Sequence, residues 1–298
     1  MIASQSAPQE ESVRWSWRDM DMSCGLTRYG TGPTALLLPA LSSISSRREM
    51  LPLQQGLGHR FETVAPDWPG FGDHDKPAVS WTPHAMEAWL DHLLRTVAPQ
   101  PALVVAPGHA ASLVVRHFAG TSHEMPELVL VAPTWRGPLP TMMGRRPGWL
   151  ARVRAAFDNP LAGPLLYALN LNRVVIRRMA KGHVYSDPGV LTSARLAEMR
   201  QVVRAKGARF ASVRFVTGAL DPYPTGEEFR AAVTTIPKSR VRLLWGDESP
   251  RKSKADMVAL AETAGITPRV LPQGKLGVHE EFASEVAEII LTGDTATT

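Results

Sequence analysis

The chain has 298 residues, 44% of them hydrophobic and 20% charged, which suits one large α/β domain with an insertion or two ordinary domains. A single cysteine, Cys24, excludes an intrachain disulfide and fits a reducing, cytoplasmic setting, and the absence of any apolar run of about 18 residues argues against a membrane span. The net charge of +5 would suit nucleic acid, yet there is no zinc-ligand spacing, RNA-recognition aromatic motif or long basic tail, so neither a nucleic-acid partner nor a cofactor is expected.

The first twelve residues, MIASQSAPQEES, lack the basic segment and apolar core of a secretion signal and begin as a short disordered tail. Residues 12–30 alternate in part and end in Gly-Thr-Gly-Pro, the pattern of an opening β-hairpin. Three short apolar runs follow, from Ala35, Glu62 and Ala102. Each leads through turn residues into a helical pattern: Arg47 to Leu57, Pro83 to Val97 and His109 to Phe118. A fourth run spans Leu128 to Pro133. Strands alternating with amphipathic helices predict βαβ units and a mostly parallel sheet covered by helices on both faces. Near Gly137 the pattern turns helical for about eighty residues, broken at Pro147, Pro160, Pro164 and Pro188. Strands return at Val241–Trp245 and Arg269–Leu271, and a last helix is expected from His279 to Leu291. The expected division is a tail over 1–11, an α/β core over 12–136 and 214–292, a helical cap over 137–213 and a tail over 293–298.

Five motifs stand in a fixed order: Gly30-Thr31-Gly32-Pro33 before a strand, Asp67-Trp68-Pro69-Gly70-Phe71-Gly72, Gly108-His109-Ala110-Ala111-Ser112 between a strand and a helix, Leu244-Trp245-Gly246, and Leu271-Pro272 ahead of Glu280-Glu281-Phe282. In that order and spacing they resemble the α/β-hydrolase superfamily over roughly residues 12–292. The resemblance implies an α/β-hydrolase fold with a cap, and three positions for nucleophile, acid and histidine. The nucleophile sits at the middle of a small-x-nucleophile-x-small turn, which here gives Ala110, a residue with no nucleophilic atom. A shifted frame offers His109. The acid position, three residues after Gly246, gives Ser249, with Asp247 and Glu248 adjacent. The histidine position gives Leu276, or Gly277 with one more loop residue. His279, about one helical turn on, is either a displaced base working with Glu248 or Asp247, or a helix-start histidine packed at the rim. The alternative place for the acid, after the preceding strand, reads Ala132-Pro133-Thr134-Trp135-Arg136 and holds no carboxylate. The expectation is therefore a family member without the triad, a binding or interaction protein. The alternative is an enzyme of hydrolase or lyase type using His279.

The same resemblance places an oxyanion-hole-like pair of backbone N–H groups at Leu41 and Ala111, beside the positive end of the following helix. Ser42, Ser43, Ser45 and Ser46 follow Leu41, and one is expected to cap the next helix. With Ala110 and Leu276 at its floor, the pocket between core and cap suits an apolar ligand with a carbonyl or carboxylate end. The cap carries thirteen Lys and Arg against three acids, a net of +10 that leaves the rest of the chain at −5. Such asymmetry suits an anionic partner, a membrane surface or an acyl carrier, or else a solvated basic face.

Overall fold

The computed structural model describes residues 7–121 and 124–293. Its centre is an eight-stranded sheet in the order β1-β2-β4-β3-β5-β6-β7-β8. The strands are β1 (Gln9–Trp17), β2 (Met20–Tyr29), β3 (Thr34–Leu37), β4 (Glu62–Pro66), β5 (Leu103–Pro107), β6 (Glu127–Val131), β7 (Val241–Gly246) and β8 (Arg269–Leu271). β1 and β2 form the antiparallel hairpin, β2 runs antiparallel to β4, and all other pairs are parallel. The central strands β5 and β6 are apolar along nearly their whole length because both of their faces are covered.

Two helical layers do the covering. On one face α1 (Leu51–Leu57) packs with α12 (Val278–Glu281) and α13 (Ala283–Thr292). On the other, α2 (Pro83–His92), α3 (Ala110–Phe118), α10 (Gly226–Thr234) and α11 (Arg251–Ala264) pack in sequence. The last helix, expected unbroken from His279, is interrupted at Phe282, whose backbone leaves the helical region. Between β6 and β7 the chain forms α4 (Pro138–Met143), α5 (Leu150–Asp158), α6 (Ala162–Asn170), α7 (Arg173–Met179), α8 (Ser193–Arg204) and α9 (Ala208–Val216). These helices enclose a small core of their own around Tyr167, Ile176, Tyr185, Leu196 and Met199. No described helix is long and apolar enough to cross a membrane.

The N-terminal tail is shorter than expected. β1 begins at Gln9, and Glu10 pairs at 2.6 Å with the guanidinium of Arg47, which also binds Asp67 at 2.6 Å and Asp73 at 2.7 Å. Residues 1–6 of the expected tail and 294–298 of the C-terminal one lie outside the described residues. The Arg47 cluster fixes the Asp67–Gly72 loop against the start of α1. Burial pushes the Asp67 carboxyl up and Arg47 pulls it back down.

Candidate functional site at the sheet edge

The strand-to-helix corner is Gly108. β5 ends at Pro107, α3 begins at Ala110, and Gly108 between them has φ +55, the left-handed region that a glycine enters without steric cost. Its N–H donates to Val131 O at 2.9 Å and its carbonyl accepts from Thr134 N at 3.0 Å, so both peptides are held by the end of β6. This corrects the register read from sequence by two residues. Ala110 is the first helical residue of α3, fully buried in the core and absent from the cavity wall. Small residues at 106, 108, 110, 111 and 112 satisfy the turn motif in more than one frame, and the backbone selects the frame centred on Gly108. A β-carbon there would meet one neighbour, Ala40 Cβ, at an ordinary 3.6 Å, so the corner has room for a side chain it does not carry.

His109 has helical backbone and does not occupy the corner. Its ring is buried, with Nε2 3.3 Å from Leu220 O and 3.5 Å from Asp221 Oδ1. A carbonyl needs a donor, so the proton resides on Nε2, and Nδ1 has no partner. Burial holds the imidazole below its usual titration range despite the Asp221 charge, and the ring is neutral at pH 7. Asp221 accepts in addition from Gly137 N at 2.9 Å and from Arg146.

Across the cavity, the loop after β8 brings Leu276 to the wall. Its N–H donates to His183 O and that of Gly277 to Val184 O, tying this loop to the cap. Gly246 at the end of β7 lies so close to the loop that a β-carbon would fall 2.1 Å from Gly274 O, so a side chain there would displace the segment carrying Leu276. Ser249 is buried, its hydroxyl without a partner, and it does not line the cavity.

The pairing of His279 with Glu248 or Asp247 is not formed. Both acids are exposed at the entry to α11, and Asp247 pairs with Lys254 at 2.6 Å. His279 is buried, lines the cavity and has Nε2 3.2 Å from Glu49 Oε1. Glu49 belongs to the 3-10 turn Arg47–Met50 and also accepts from Ala40 N at 2.6 Å, which couples it to the loop after β3. Behind this pair stands Arg195 of α8, 4.0 Å from Glu49 and 2.6 Å from Glu280, with Tyr185 Oη donating to Glu280 at 2.6 Å. Burial raises the Glu280 carboxyl, Arg195 opposes that rise, and Arg195 itself stays charged because Glu280, Tyr185 and Glu49 outweigh its own burial. Glu49, Arg195, Tyr185 and Glu280 are the site residues that sequence reading missed. One usable signal existed: Glu49 lies four residues before Leu53, on one stripe of the helical pattern that the sequence shows from Arg47 to Leu57.

The oxyanion-hole-like pair also shifts. Ala111 N–H is used in the turn, donating to Gly108 O at 3.3 Å, whereas the residue after the corner is His109. The backbone N–H groups of Leu41 and His109 have no acceptor among the described residues, and both residues line the cavity. The serines after Leu41 do not cap the helix. Ser46 occupies the cap position without a side-chain bond, and Ser43 Oγ accepts from Ser212 of α9 at 2.6 Å.

Together these walls enclose about 370 Å³ between the sheet edge and the cap. From the cap come Leu171, Ile176, Met179, Met199 and Phe215 together with His183, Tyr185 and Arg195; the core side carries His109, His279 and Glu49. A family model described as the alpha/beta hydrolase family matches residues 35–289, and the chain belongs to that family. No curated protein matches the sequence. Among solved structures the chain is similar to Cfl2 from Burkholderia cenocepacia, with a TM-score of 0.73, 20% identity and 95% of each chain covered. It is similar also to the epoxide hydrolase CorEH, at 0.69 and 17%, covering 95% of this chain and 98% of that one. A bromoperoxidase from Bacillus anthracis gives 0.66 and 16%, covering 95% and 99%. At these identities the likeness is one of fold.

Proposed function

We propose that this member of the α/β-hydrolase family does not hydrolyse but binds a small, largely apolar ligand with a carbonyl or carboxylate end. The observation that carries the reading is the bare corner: Gly108 offers no nucleophilic atom where the fold exposes one, and Leu276 offers no base across from it. What remains supports binding. The Leu41 and His109 N–H groups suit a carbonyl or carboxylate oxygen, and the apolar cap wall suits its tail. The volume is at the small end for a ligand site, so the ligand is of about ten to twenty heavy atoms.

The test is a displacement titration with a fluorescent medium-chain fatty acid, run beside a nitrophenyl acetate assay. One-to-one saturable binding with no esterase activity above buffer is expected. Leu276→Asp, which places a like charge in the cavity, is expected to weaken the fatty acid by about tenfold or more. Turnover of the ester, or fatty-acid binding unchanged in Leu276→Asp, contradicts the reading.

A second reading is favoured by one observation, the buried His279–Glu49 pair at the cavity wall. An imidazole held by a carboxylate can move protons without a nucleophile, as a lyase or isomerase requires. It predicts that ligand incubated with the protein is converted to a product visible by mass spectrometry, and that His279→Gln abolishes the conversion. Ligand recovered intact from both proteins counts against it.

A further inference from the structure

A second concavity opens on the outside of the cap. It encloses about 410 Å³ along α6, α8 and the start of α9, and Leu171 forms part of its wall as well as part of the ligand cavity. Five cations line it, Arg173, Arg200, Arg204, Lys206 and Arg209, and no carboxylate does. None of the five forms an ion pair among the described residues, in contrast to Arg195 and Arg214 of the same cap, which are buried against Glu280 and Asp158. Arg209 is oriented by Phe157 O, which accepts from its Nε at 3.0 Å.

Beside this groove, Leu161 at the N-cap of α6 and Leu165 and Leu169 within it are 88%, 64% and 61% exposed. Their spacing of four residues puts them on one side of the helix. Val174, 75% exposed, continues the apolar surface at the first turn of α7. From 159 to 186 the chain has no Asp or Glu, while Arg173, Arg177, Arg178 and Lys181 are all exposed. Single exposed leucines are ordinary, but a row of them edged by unpaired cations is the pattern of a helix lying in a lipid interface. A second copy of this chain fits poorly as the cover, because it would bring two such cationic faces together.

We propose that the outer face of the cap docks on an anionic lipid bilayer, with the groove cations taking headgroup phosphates and Leu161, Leu165 and Leu169 entering the acyl region. The shared residue Leu171 then sets the ligand cavity next to the membrane, which is a natural source of an apolar carboxylate. Docking deepens the ligand reading and is tested apart from it. The full chain is sedimented with vesicles of phosphatidylcholine alone or with about 30% phosphatidylglycerol, with no ligand added. Partitioning is expected to rise about tenfold with the anionic lipid and to fall by a similar factor between low and high salt, as screening shortens the reach of the cations. Leu161→Ser/Leu165→Ser/Leu169→Ser and Arg204→Glu/Lys206→Glu each alter exposed side chains and are expected to lose most of the binding at unchanged Tm. Leu276→Asp, inside the cavity, is expected to bind vesicles as the parent does even where it loses fatty acid. Absence of sedimentation with both vesicles, indifference to lipid charge and salt, or surface variants that bind as well as the parent would overturn the proposal. So would self-association in the absence of lipid that the leucine variant abolishes.

Discussion

The core and the cap place their large apolar side chains differently. Of the nine that are exposed among the described residues, seven lie in the cap: Met142, Trp149, Leu161, Leu165, Leu169, Val174 and Met179. The core leaves Val258 and Val270 in solvent and buries the rest of its strands and helix stripes. Both regions pair buried arginines, Arg47 with Asp67 and Asp73 in the core and Arg195 and Arg214 with Glu280 and Asp158 in the cap, but the cap also leaves the cations of its outer groove unpaired. The core thus buries most of its apolar surface around a cavity, and the cap carries the exposed apolar and cationic surface on which the proposed docking rests.

The comparison predicts unequal responses to substitution. Arg47→Ala strands Asp67 and Asp73 without their counter-charge in a buried place, and a loss of about 3–5 kcal/mol in urea unfolding is expected. Leu36→Ala in the centre of the sheet should cost ~3 kcal/mol, because a fully buried leucine leaves a cavity that its neighbours only partly fill. The same change at the exposed Leu165 should stay within about 0.5 kcal/mol. Equal losses at Leu36 and Leu165 would break the distinction between the two regions.

A smaller effect concerns pH. The folded chain holds His109 neutral, so as pH falls below the ordinary imidazole range of about 6.5 the unfolded chain takes up a proton that the folded one refuses. Stability is therefore lost on acidification, by at most ~1.4 kcal/mol per pH unit from this group. Asp221 and Arg146, the charged groups facing the ring, act in opposite directions on it. His109→Gln keeps a donor for Leu220 O and should flatten the difference in unfolding free energy between pH 7 and pH 5.5. An unchanged slope would mean that the ring accepts its proton in place.

Much of the fold was legible because it rests on local patterns. The apolar runs at Leu103 and Leu128, the helical repeats after them and the Asp67–Gly72 loop each carry their own signal. The site was legible only in part. Counting from Pro272 gave Leu276 or, with one more loop residue, Gly277, and both lie on the cavity wall because that loop is short. The corner was missed by two residues because Ala106, Gly108 and Ala110 are all small, and composition does not reveal which of them has positive φ. The partner of His279 was out of reach for a different reason. Glu49 lies 230 residues away in sequence, and a contact of that range leaves no local trace. Asp247 and Glu248 were nearer in the chain but project into solvent.

The most direct test of the bare corner uses an active-site-directed fluorophosphonate and intact-protein mass spectrometry. The parent protein is expected to keep its mass after prolonged exposure. Gly108→Ser/Leu276→His, which returns an oxygen to a corner with room for it and an imidazole to the loop after β8, is expected to gain one adduct, at some cost in stability for a non-glycine residue at φ +55. An adduct on the parent at a serine of the cavity wall, Ser42, Ser43, Ser45 or Ser253, would show that the protein carries a working nucleophile after all.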